Sequence, residues 1–106
     1  MSDKPEKLPV TVQFGGFDCD VYRTSYPEGG ATALYLTDRL DGGHVATATV
    51  NVPEANQELG IGAILVKDFS ENSGMMDALE AAGIAADTGR RVPTGFTEAK
   101  VGRMLL

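Results

Sequence analysis

Short runs of alternating apolar and polar residues, cut apart by glycine pairs, constrain this chain more than any other feature. Val10, Val12 and Phe14 alternate with Thr11 and Gln13; Gly15-Gly16 intervenes; then Phe17, Cys19 and Val21 alternate with Asp18, Asp20 and Tyr22. A period of two sends alternate side chains to opposite faces of a strand. Adjacent glycines accept the positive φ that a tight hairpin needs. The pattern recurs: "PEGG" (27–30) precedes "ATALYLTD", where Leu34 and Leu36 oppose Ala33, Tyr35 and Thr37. "RLDGG" then precedes "HVATATVNV", in which Ala46, Ala48, Val50 and Val52 share a face. Four strands so closely spaced predict an antiparallel meander.

Further along, "PEANQELGIG" reads as a connection and "AILVKD" as a fifth, short, buried strand. Met75, Met76, Leu79 and Ala82 have helical spacing, Asn72 or Ser73 is placed to cap the helix start, and Asp77 suits its dipole. Gly83 stands where a left-handed residue ends a helix. A helix of about ten residues is marginal alone and must pack on the sheet. "DTGRRVPTG" is turn-rich, and Phe96, Val101, Met104 and Leu105 predict a sixth strand with a bulge at Gly102. Residues 1–8, polar and containing Pro5, read as flexible, which leaves 9–106 as a single α+β domain. The order β-β-β-β-β-α-β predicts a curved, mainly antiparallel sheet or partly open barrel with one covering helix.

Charge narrows the partners. Fifteen acidic and nine basic residues give a net charge of −6. Nucleic-acid affinity rests on Lys and Arg displacing counterions, so direct nucleic-acid binding is disfavoured. The asymmetry is internal: residues 88–106 hold Arg90, Arg91, Lys100 and Arg103 against Glu98 alone. A single cysteine excludes an intramolecular disulfide or a multi-cysteine zinc site and suits a reducing compartment. "MSDKPEK" lacks the apolar core of a secretory signal, and no apolar run reaches the roughly 20 residues that span a bilayer. The expectation is a soluble cytoplasmic protein without membrane partner or cofactor.

Few residues carry a chemical signature. Cys19 and His44 are the nucleophile and base of a hydrolase or transferase only if the strands bring them together. Asp18 and Asp20 share a strand face, about 7 Å apart by strand rise, and Asp38 and Asp41 are the only clustered donors available to join them around a metal; a solvent-facing row explains them better, so no metal is expected. The glycine pairs lack the spacing of a phosphate loop and lie between strands. "KDFSEN" differs, because it joins a strand end to a helix start, where free N–H groups favour an anion. Lys67, Ser70, Asn72 and Ser73 supply charge and hydrogen bonds there, opposed by Asp68 and Glu71, and Arg90 and Arg91 would complete the pocket if their loop lies nearby.

The run "VKDFSENSGMMDALEAAGI", followed by "TGRRVPTGFTEAKV", resembles a family of small uncharacterised proteins of bacteria, phages and other mobile elements. The family pattern is "KD(Y/F)SENxGM…AAGI…VPxGF", and the match covers the C-terminal forty residues closely; Ser73 departs from the acidic residue expected there. The resemblance implies no catalytic residue. It implies a setting, accessory genes whose small acidic products antagonise host defence. The leading expectation is therefore a non-enzymatic binding protein that occupies a basic protein surface of the host or sequesters a small anionic, nucleotide-like ligand. The alternatives are the Asp18/Asp20/Cys19/His44 enzyme and a homodimer formed by pairing sheet edges.

Overall fold

In the computed structural model, which describes residues 4–95 and 97–106, the meander forms as its alternation predicts. Strand β1 (Glu6–Phe14) returns as β2 (Phe17–Ser25) through Gly15 and Gly16, both at positive φ, with Phe14 opposite Phe17. This is a two-residue turn whose twist matches its strands. β3 (Thr32–Asp38) and β4 (His44–Thr47) complete an antiparallel sheet ordered β1-β2-β3-β4. Leu8, Val12, Cys19, Val21, Leu34, Leu36 and Ala46 fill its inner face.

The remaining chain gives α1 (Pro53–Leu59), β5 (Ala63–Val66), a 3₁₀ turn (Ser70–Asn72), α2 (Met75–Ala81), β6 (Ala85–Pro93) and β7 (Glu98–Met104). The three strands form a second antiparallel sheet in the order β5-β7-β6. Residues 48–50 stitch the sheets together. The Ala48 N–H donates to Leu34 O of β3 at 2.8 Å, while Ala48 O accepts from the Lys67 N–H at 2.8 Å and the Val50 N–H donates to Leu65 O at 3.0 Å. Thr49 pins the crossing from inside: its Oγ1 accepts from the Leu34 N–H at 3.2 Å and bonds the Tyr26 hydroxyl at 2.8 Å. The outermost strands, β1 and β6, do not pair with each other, and α2 packs on both. The result is an α+β fold with a curved, partly open antiparallel sheet and no closed barrel.

Helix α2 is held as its sequence predicts at one end only. Met75, Met76 and Leu79 are buried, and the Gly83 N–H donates to Glu80 O while the Ile84 N–H donates to Leu79 O. This crossed pair, with Gly83 at φ +74°, is a Schellman ending.

The fold departs from the sequence pattern in four places. There are two α-helices and seven strands, not one helix and six strands. "PEANQELGIG" contains α1, a seven-residue helix opened by Pro53 with no fully buried residue, so no apolar periodicity marks it. β1 begins at Glu6, inside the stretch 1–8 read as flexible, and Leu8 is buried; residues 1–3 lie outside the described residues. "HVATATVNV" is broken: β4 ends at Thr47, and Val50 and Val52 pack with Leu65, Ala99 and Val101 on the far face of the second sheet.

Candidate functional site

The strand-to-helix junction is the site to which the sequence points first. Neither Asn72 nor Ser73 caps α2. Its N-cap is Gly74, in a left-handed conformation, and no side chain of the cap residue bonds the helix. The acceptor comes from upstream: Asp68 Oδ1 takes the Gly74 N–H at 2.8 Å and Oδ2 the Met76 N–H at 3.0 Å. Oδ2 also meets Lys100 Nζ of β7 at 3.2 Å, and the Asp68 side chain is only 8 % exposed. Burial pushes the Asp68 carboxyl up, yet the two amides and Lys100 outweigh it and hold its pKa below the usual value. A carboxylate of the chain itself thus occupies the anion position at this helix start. Asn72 is buried, its Nδ2 donating to Thr47 O at 2.7 Å. Lys67 bonds Glu71 Oε2 at 2.8 Å, which holds the exposed Glu71 carboxyl below its usual range, and lies 5.8 Å from the Phe69 ring centre. Ser70 and Ser73 are exposed, and Ser70 carries the one positive φ outside glycine among the described residues, +54°.

Arg90 and Arg91 lie on β6, not in a loop, and they part company. Arg91 stands opposite Lys100 and pairs with Asp87 at 3.2 Å. The Gly89 N–H on Asp87, then Arg91 and Lys100, overcome partial burial and lower the Asp87 pKa. Between Asp87 and Arg91 the register slips: residues 88–90 span the space that Val101 alone fills on β7. The bulge expected at Gly102 therefore sits across from it on β6. Gly102 serves packing instead, since a Cβ there would meet Ile64 Cγ1 at 3.2 Å and Met76 Cε at 3.3 Å. Phe96 lies outside the described residues.

The enzyme alternative is not assembled by the fold. Cys19 is fully buried on the inner face; burial first, then the charges of Asp38, Asp18 and Asp20, push its thiol pKa up, away from the nucleophilic thiolate. His44 is exposed on the outer face, opposite Thr37, which itself faces Asp20. Cys19 and His44 therefore sit on opposite faces of one sheet. Asp20 is committed to Lys7 at 3.7 Å and Arg39 at 3.4 Å. Among the described residues no group of three or more His, Cys, Asp or Glu side chains could hold a metal ion, and no helix is long and apolar enough to cross a membrane.

A second site emerges where the β1–β2 and β3–β4 turns lie side by side, joined by the Arg39 N–H donating to Asp18 O at 3.1 Å. Here Leu40 is 94 % exposed and Phe17 46 % exposed. Two hollows of about 570 and 300 Å³ flank Phe17 and share Asp38 between them. Asp38 Oδ1 accepts the Leu40 N–H at 2.9 Å and Asp41 Oδ1 the Gly43 N–H at 2.8 Å, which fixes the turn. Asp18, Asp38 and Asp41 make no ion pair among the described residues, because Arg39 is turned to Asp20. The sequence signal for this tip was a leucine standing in the turn "RLDGG". No protein-family model, no curated protein and no solved structure matches the chain.

Proposed function

We propose that the protein is a non-enzymatic binding module, a mobile-element accessory factor that antagonises host defence by docking its twin-turn tip on a basic protein surface. The observation that carries this reading is Leu40 and Phe17 exposed at hollows that Asp18, Asp38 and Asp41 also line. A leucine placed in water at the apex of a tight, hydrogen-bonded turn adds nothing to the fold. Buried in a partner, it contributes about 1.5–3 kcal/mol. The carboxylates around it, which make no ion pair among the described residues, within a chain of net charge −6, orient a basic partner and speed its encounter. Anchor and rim together make the arrangement of an interface hot spot with a polar border.

The test compares immobilised wild type with the Phe17→Ala/Leu40→Ser double variant in lysate of the host bacterium, followed by titration against the purified captured protein. The expected result is a partner with a basic face, bound at least about tenfold more weakly by the variant and more weakly as salt rises. Equal binding by both proteins, or binding indifferent to salt, would sink the reading.

A further inference from the structure

Five arginines are present, and their pairing is uneven. Arg23 holds Glu6, Arg39 holds Asp20 and Arg91 holds Asp87. The guanidinium groups of Arg90 and Arg103 make no hydrogen bond or ion pair among the described residues, although fifteen carboxylates are available in the chain. Both line one cavity of about 170 Å³ beside the C-terminal end of α1, with Leu59, Ile61, Thr88 and Val101.

Their convergence is built into the strands. Arg103 stands on β7 between Ala63 of β5 and Ala86 of β6, whose small side chains leave it uncovered. Arg90 is set by the β6 bulge. Thr88 Oγ1 donates to Val101 O at 2.8 Å and accepts the Arg90 N–H at 3.2 Å, with Gly89 at φ +85° between them. Beside these two cations Ile61 is wholly exposed. Unspent positive charge and unspent apolar surface therefore meet in one small hollow. Two planar forks suit a doubly charged tetrahedral oxyanion better than a carboxylate, which one fork satisfies.

We infer that this cleft binds a small phosphomonoester, its phosphoryl group held by Arg90 and Arg103 and its organic group against Leu59, Ile61 and Val101. The site shares no residue with the docking tip and does not depend on it.

The experiment is an amide NMR titration with phenyl phosphate, with inorganic phosphate, and with sodium chloride at matched ionic strength. Wild type is compared with Arg90→Ala, Arg103→Ala and Ile61→Ser; all three side chains are exposed, so the fold is retained, which the rest of each spectrum verifies. Saturable shifts are expected at Gly62, Thr88, Arg90 and Gly102, and phenyl phosphate binds more tightly than inorganic phosphate. Each arginine variant weakens phenyl phosphate about tenfold, and Ile61→Ser lowers its affinity to that of inorganic phosphate. The inference is overturned if sodium chloride reproduces the shifts, if they fail to saturate, if they survive Arg103→Ala, or if wild type binds both phosphates equally.

Discussion

Asp68 and Lys100 meet at 3.2 Å across the start of α2, and this contact ties the helix to the central strand of the second sheet. The same carboxylate takes two helix amides, so one side chain serves as cap and as ion-pair partner. Asp68→Asn keeps the shape and loses the charge. Because charge-assisted bonds at a largely buried site are being weakened, the expected loss is about 1.5–3 kcal/mol of unfolding free energy in urea.

Acid stability follows from the same residue. The folded-state pKa of Asp68 lies below its ordinary 3.8, so its contribution is complete above that value. It is lost as pH falls from the ordinary carboxylate range through the lowered one. Asp87 is shifted in the same direction. Wild type should therefore lose stability on acidification below about pH 5, and Asp68→Asn should show a shallower slope over the same interval, read from urea midpoints across pH.

Gly102 has no room for a side chain of ordinary stiffness. Its added Cβ would press Ile64 Cγ1 at 3.2 Å and Met76 Cε at 3.3 Å. Met76 can yield at its flexible end, whereas Ile64 is buried and branched. Gly102→Ala should cost about 1–2 kcal/mol and Gly102→Val more, measured by thermal unfolding.

Leu8 tests where the ordered chain begins. It is 2 % exposed and belongs to the main core, so Leu8→Ala should cost about 2–4 kcal/mol. An unchanged melting temperature would return residues 4–8 to a flexible role.

Cys19 offers a chemical readout of the same core. Fully buried, with its thiol pKa raised, it should react with a disulfide reagent far more slowly in the native protein than in denaturant. Reaction at equal rates in both would mean that the inner face of the first sheet is open to solvent.

What could be read from the sequence was local. Alternation and glycine pairs located β1, β2 and β3, because a period of two and a tight turn are decided by neighbours. The spacing of Met75, Met76 and Leu79 located α2 for the same reason. The failures were contacts between distant parts of the chain. Asp68 caps a helix from six and eight residues upstream, where the usual spacing of cap and amide gives no hint. Lys100, which neutralises it, stands on a strand more than thirty residues away. Arg90 and Arg91 look equivalent in sequence, yet a bulge and strand alternation give one to a cavity and the other to Asp87. Leu40 stands in a turn where no periodicity marks it, and its nearness to Phe17 depends on two hairpins lying side by side.

The order β5-β7-β6 has a consequence for how the polypeptide acquires its shape. The first four strands pair with their sequence neighbours and can zip up in turn, as soon as each hairpin is complete. The second sheet has no such start, because within it β5 and β6 each pair only with β7, the last of the three to be synthesised. Until residues 98–104 emerge, β6 lacks its ladder, β5 has only its short bridge to residues 48–50, and Asp68 lacks its counter-ion. A ribosome stalled before Glu98 would therefore hold a formed N-terminal meander beside an unassembled remainder, the state in which proteases and chaperones would find this chain most vulnerable.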